Sequence, residues 1–257
     1  MSTDGSAAEP AEPSSNPGRN AHYPWDEFSA ADYYDHNYRT LREDDAQILD
    51  LVASWFAEET RNRSGHGLDV GAGPNLYPAL SMLPHCAELT LREYSAANVS
   101  WLREKAADLP ESWRPYWDVV SPGSRHGDFT KAHDLLAERA RVERGSVFEL
   151  PEGVWDLGTM FFVAESISQD PAEFRTATGS FVRALRRGAP FAAAFMEQSG
   201  GYDVAGVSFP ATPIGAAEIT DCLGALATDL MVHRVEMRPA PLRPGYSGML
   251  VAVGRAR

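Results

Sequence analysis

The 257-residue chain is predicted to fold as an α/β domain: a doubly wound, mostly parallel sheet of seven strands with an antiparallel pair at one edge. Three observations predict it. Short apolar runs alternate with stretches of helical apolar period, the pattern of a parallel sheet covered by helices on both faces. A glycine turn, Gly71-Ala72-Gly73, follows at once on one of the first runs, where such a sheet turns from strand into helix. The last two runs are separated by RPAPLRPGYSG with no helical period between them, so they are expected to pair antiparallel. At 28.1 kDa the chain suits one generous domain better than two.

Taken in order, residues 1–20 are rich in Ala, Pro, Ser, Glu and Gly without apolar period and are expected to be a disordered tail. Order is expected to begin near Tyr23, with residues 21–257 forming the domain. The stretch AHYPWDEFSAADYYDHNY packs Tyr23, Trp25, Phe28, Tyr33, Tyr34 and Tyr38 into eighteen residues. After it, Ile48, Leu51, Val52 and Trp55 fall at helical spacing behind the acidic turn of Glu43, Asp44 and Asp45. The strands expected are Gly67–Gly71, Leu89–Glu93, Val142–Val147, Trp155–Val163, Pro190–Glu197, Met231–Met237 and Met249–Gly254. Helical patterns run over Ala96–Asp108, Lys131–Arg141, Pro171–Arg186 and Gly215–Ala227.

Composition excludes several classes. A formal charge of −13 and a pI near 4.9 oppose binding to nucleic acid. No apolar run approaches the roughly 20 residues of a membrane span, and the opening residues lack a signal-peptide pattern. Cys86 and Cys222 are too few for a disulfide scaffold and suit a cytoplasmic protein. They show no metal-ligand spacing, and no metal is expected.

Leu68 and Val70 read as buried strand positions ahead of the glycine turn, where a ligand can approach the backbone. A dinucleotide fingerprint would place a third glycine where Leu76-Tyr77 stands, and no Gly-Lys-Ser/Thr marks a phosphate loop. An ordinary strand-to-helix turn is one reading; a nucleoside cofactor without phosphates is the other. S-adenosyl-L-methionine is such a cofactor. Glu93 ends the next strand twenty-four residues after Asp69, where a doubly wound fold places an acid to accept from ribose hydroxyls. Alone it would be a solvated strand-end carboxylate; beside the glycine turn it favours the cofactor.

The motifs DYYDHNY at 32–38, LDVGAGPNLY at 68–77 and EYSAAN at 93–98 together resemble the family of small-molecule methyltransferases that includes nicotinamide, phenylethanolamine and indolethylamine N-methyltransferases. The resemblance spans roughly residues 25–257, weakest at 110–150. It implies a Rossmann-like methyltransferase with an N-terminal helical lid over residues 23–57, and S-adenosyl-L-methionine as cofactor. In it, Tyr33 and Tyr38 close over the methionine portion, Gly71 and Gly73 line the backbone, and Tyr77 reaches the carboxylate. Glu93 holds the ribose, Tyr94 lies near the adenine and Asn98 bonds the methionine end. Ser146, followed by Val147, stands where the family has an acid beside the adenine amino group, so that contact is weaker or supplied differently. Asn37 stands where the pyridine-methylating members have a substrate-contacting tyrosine, which argues against nicotinamide.

Glu165 in FFVAESISQDP and Glu197 in AFMEQSGGYDVAG follow neighbouring strands, and similar positions in the amine-methylating relatives hold the substrate ammonium. Both are expected in one crevice, Glu197 binding the cation and Glu165 relaying its proton. Strand-end acids that cap helices or face water are the competing reading. Phe162 and Tyr202 fall where the relatives contact substrate. The expected partner is a small molecule, preferably an amine, methylated by in-line displacement, the protein being a monomer or weak homo-oligomer. Oxygen, carbon or sulfur acceptors stay open, as do a cofactor-binding regulator or scaffold without turnover and a nicotinamide-dependent oxidoreductase.

Overall fold

A computed structural model of the chain describes residues 18–60, 65–121, 128–238, 241 and 245–257. The tail expected over residues 1–20 lies outside the described residues as far as position 17. Gly18 to Asn20 are in place earlier than the expected onset at Tyr23. The Gln169 N–H donates to the Gly18 carbonyl (2.9 Å) and the Asn20 N–H to Glu173 Oε2 (2.8 Å). These partners lie about 150 residues away, and no local composition signals them.

Among the described residues, two α-helices precede the sheet. In α1 (Ala30–Asn37), Ser29 caps the start by accepting the Asp32 N–H. In α2 (Glu43–Glu59), the acidic first turn meets the positive end of the helix dipole, and Ile48, Leu49, Val52 and Phe56 are buried. The strands are β1 (Gly65–Val70), β2 (Cys86–Glu93), β3 (Ala140–Arg144), β4 (Leu157–Phe161), β5 (Pro190–Glu197), β6 (Tyr202–Val204), β7 (Val207–Phe209), β8 (Ala227–Val235) and β9 (Gly248–Ala256). Seven of them form one sheet in the order β3-β2-β1-β4-β5-β9-β8. The first five run parallel, and β9 lies antiparallel between β5 and β8. All seven expected strands are present, and the expected antiparallel pair forms that edge.

The remaining helices are α3 (Tyr77–Met82), α4 (Ala96–Ala107), α5 (Arg114–Val120), α6 (Phe129–Arg139), α7 (Pro171–Ala184) and α8 (Ala216–Leu223). They divide between the two faces because strand side chains alternate. Along β5, Ala192, Ala194 and Met196 join the core under α2, α3 and α5, while Phe191, Ala193 and Phe195 join the core under α7 and α8. Helix α5, absent from the sequence reading, buries Tyr116 and Trp117 completely or nearly so. Among the described residues no helix is long and apolar enough to cross a membrane.

Strands β6 and β7 form a separate hairpin that was likewise not expected. Its two-residue turn, Ala205-Gly206, has φ of +50° and +84°, the left-handed pair that matches the twist of a hairpin. Glycine adopts this freely, whereas alanine is strained there by about 1–2 kcal/mol. Ala205→Asn is therefore expected to raise stability by about 0.5–1 kcal/mol, since asparagine tolerates this conformation. Denaturant melts of the two proteins check it.

Candidate active site

At the carboxyl end of β1 the chain turns through Gly71 (φ +62°) and Gly73 (φ +52°). The Gly71 N–H donates to the Arg92 carbonyl (2.7 Å), and a Cβ at Gly71 would lie 2.6 Å from Val163 Cγ2. Space and conformation together require glycine there. The Gly73 N–H donates to Glu93 Oε2 (2.9 Å) and the Ser95 N–H to Glu93 Oε1 (2.7 Å). These backbone groups, with that of Tyr94, orient the carboxylate at the end of β2. Burial still holds its pKa above the ordinary range, against these bonds.

The turn and Glu93 open into a cavity with about 800 Å³ of space between atoms, open solvent at its mouth included. It is lined by Tyr94, Gly145, Ser146 and Val147 and by Tyr38, Asn75, Asn98 and the glycine turn. Asn98 is bonded through its side chain to Glu93, and its Oδ1 is buried with no partner among the described residues. A buried acceptor left over in a cavity wall calls for a donor on a ligand.

The remaining wall is aromatic. A strap of chain from Asn20 to Phe28 crosses above, contributing Asn20, Trp25 and Phe28, and α1 contributes Tyr33. Trp25 and Tyr202 each stack on Phe209, with ring centroids 5.1 and 5.6 Å away. Tyr33 meets Tyr38 edge-on at 5.9 Å and stands 6.2 Å from Tyr202, spacings at which ring pairs attract. Phe162 lines the cavity beside Phe161, its backbone held at φ +59° by donation of its N–H to the Ala194 carbonyl (2.7 Å). Asn20, Trp25 and Gly145 escaped the sequence reading of the site. The dense aromatics at 23–38 were the available signal for Trp25, and the other two gave none.

Four residues expected in the site do not line this cavity. Tyr77 is wholly buried behind the wall and donates to Asp45 Oδ1 (3.2 Å). Asn37 lines a second, outer hollow that shares Tyr33 and Tyr202 with the first, and donates from Nδ2 to the Tyr33 carbonyl (2.8 Å). Glu165 is fully buried, and its Oε1 accepts the Met196 N–H (3.0 Å) and the Ser166 hydroxyl (3.2 Å). β4 ends at Phe161, Phe162 follows in the left-handed region, and the Glu165 carboxylate holds the Met196 N–H of β5. Glu197 accepts from Arg234 Nε (2.9 Å) and Ser247 Oγ (3.1 Å) across Gly248, where a Cβ would lie 2.7 Å from its Oε2. The two carboxylates are therefore held by separate partners, and neither lines the cavity.

Two further carboxyl groups are perturbed beneath the site. Burial, followed by the charge of Asp44, pushes Asp45 up to about 7. Burial pushes Asp69 up to about 8, the charge of Glu93 adding to it and the hydrogen bond donated by Thr159 (2.8 Å) opposing it. Among the described residues no three His, Cys, Asp or Glu side chains gather as a metal group.

The chain resembles known proteins over nearly all its length. It is 27% identical to phenylethanolamine N-methyltransferase of Sus scrofa, covering 93% of this chain and 92% of that one. It is also 27% identical to the Bos taurus protein of the same name, covering 95% and 93%. Among solved structures, a SAM-dependent methyltransferase of Methanosarcina mazei shares the fold with a TM-score of 0.53 at 14% identity, covering 78% of this chain and 97% of that one. The N-methyltransferase NodS of Bradyrhizobium japonicum, solved with S-adenosyl-L-homocysteine, gives 0.50 at 13% identity, covering 84% and 88%. The model of the NNMT/PNMT/TEMT family matches residues 19–248. The chain belongs to that family, and with it to the S-adenosyl-L-methionine-dependent methyltransferases.

Proposed function

We propose that the protein transfers a methyl group from S-adenosyl-L-methionine to a nitrogen atom of a small amine by direct in-line displacement. The observation that carries this reading is one cavity holding the glycine turn, the backbone-oriented carboxylate of Glu93 and the leftover acceptor of Asn98 beneath an aromatic wall. The bound cofactor supplies an electrophilic methyl group on sulfur. Glu93 would take the ribose hydroxyls, Tyr94, Ser146 and Val147 the adenine end, and Asn98 with Tyr33 and Tyr38 the methionine end. Gly71 and Gly73 let the ligand approach their backbone. Tyr77, behind the wall, would act through the packing of Tyr38, whose ring centroid lies 5.9 Å away.

The acceptor side falls to Phe162, Tyr202 and Tyr33, with Asn37 behind them. Because Glu197 is taken by Arg234 and does not line the cavity, the cation is assigned to the ring faces, which attract ammonium groups. The chain's charge of −13 favours a cationic acceptor at long range. Alignment of two bound reactants can contribute about 7–11 kcal/mol to the rate. The amine must first lose its proton, and Glu165, between lining residues Val163 and Ser166, is assigned the relay. The names of the phenylethanolamine-methylating relatives support an amine acceptor.

The test is mass spectrometry of amines, phenols and thiols incubated with protein and isotopically labelled cofactor. Label on an amine nitrogen is expected; label only on oxygen, carbon or sulfur, or none at all, overturns the reading. With an accepted amine in hand, Glu165→Gln is expected to change the pH–rate profile as well as the rate, and an unaltered profile removes Glu165 from proton transfer.

A further inference from the structure

We propose that Asp26 and Arg144 are positioning residues that clasp the N-terminal strap over the adenine end of the cavity and so set how long the nucleoside is retained. The proposal rests on the cofactor reading above. It begins from where the strap is tied. On one bank, Asp26 Oδ1 accepts the Ala96 N–H (2.7 Å), and Arg144 Nη2 donates to both Asp26 oxygens (3.2 and 3.1 Å). Arg144 Nε also donates to the Tyr94 carbonyl (3.1 Å). One guanidinium thus joins the strap to a residue on the cavity's rim.

On the other bank the ties are spread over several groups. Gly18 bonds with Gln169 and Ser168, the Asn20 N–H with Glu173, and Arg19 pairs with Asp170 at 3.8 Å. No one substitution frees that bank, whereas among the described residues every polar tie on the first passes through the Asp26 carboxylate. Trp25 lies between them, lining the cavity and donating from Nε1 to the Asn20 carbonyl (2.8 Å). Releasing Asp26 therefore lets Trp25 lift with the strap while the far bank stays tied. The Ala96 N–H opens α4 and has no partner within the helix, so an anion there is doubly favoured. Asp26 and Arg144 are about half exposed, and such pairs are individually weak and screened by salt. That suits a tie broken in each cycle of binding and release.

The experiment measures dissociation of S-adenosyl-L-homocysteine by stopped-flow fluorescence, with hydrogen exchange over residues 20–28. Asp26→Ala is expected to release it about tenfold faster, with KM for S-adenosyl-L-methionine rising far more than kcat falls. Asp26→Asn, still able to accept from Ala96, is expected to show a smaller effect that matches Arg144→Gln. Combining those two should be no worse than either alone, as for one shared contact. Asp35→Asn, which removes the exposed pair with Arg39, serves as the control and should change nothing. Unaltered dissociation and exchange in folded Asp26→Ala, or additive losses in the double variant, overturn the clasp. Failure of wild-type protein to bind the nucleoside overturns the cofactor reading instead, and exchange of the strap in the free protein still tests the clasp.

Discussion

Glu93→Ala is expected to weaken binding of S-adenosyl-L-methionine about 100-fold or more. A hydrogen bond to a charged acceptor contributes ~1.5–3 kcal/mol, and the ribose would lose two. Enough carboxylate oxygen must face the cavity for this, and the geometry allows it. The carboxylate lines the cavity, and the ribose hydroxyls would share or displace bonds it accepts from the Gly73 and Ser95 N–H groups and from the Asn98 side chain. The same bonds make the substitution partly structural, because two N–H groups lose their acceptor. Thermal melting beside calorimetry separates the two effects. Glu93→Gln keeps one oxygen and is expected to weaken binding by about tenfold. Folded Glu93→Ala that binds within about threefold of wild type removes Glu93 from the cofactor site.

The second large effect concerns pH. Asp69 is wholly buried and its pKa is pushed up to about 8, against about 3.9 in an unfolded chain. The folded protein therefore holds this proton more tightly, and unfolding releases it between about pH 4 and 8. The contribution of Asp69 to stability is fully present below the unfolded value and is lost as pH rises through that window. Asp69→Asn, which cannot ionise and still offers an oxygen to Thr159, removes this dependence. Its stability relative to wild type is expected to be near zero at pH 4 and to grow to about 1–3 kcal/mol in its favour at pH 9. Denaturant midpoints of both proteins across that range check it. A gap that does not vary with pH would show that Asp69 ionises as readily folded as unfolded. Asp45, raised to about 7, works in the same direction and is common to both proteins.

The sheet was legible because parallel strands carry continuous apolar runs and their helices a different period. What was lost was short or without period. Helix α5 is seven residues long with Tyr116 and Trp117 buried, and the β6–β7 turn lacks the Asn-Gly signal that would announce a hairpin. The cofactor half of the site was legible for a related reason: the glycines and Glu93 lie at the ends of adjacent strands, where local sequence sets position. The acceptor half was not. Glu165 is buried against the Met196 N–H of β5, thirty-one residues later, a contact that nothing near it in sequence announces. Glu197 is drawn away by Arg234, thirty-seven residues later, and the Asp26–Arg144 pair spans 118 residues. Contacts of that range exist only once the sheet has formed.

The place of β9 has a consequence for biosynthesis. Until β9 emerges from the ribosome, β5 presents an unpaired rim of backbone along a strand composed almost wholly of alanine, phenylalanine and methionine. Such a rim is a template for pairing with other nascent chains. Strand β9, made after both of its neighbours, thus ends this period of aggregation risk, and β8 gains its partner in the sheet only when β9 arrives.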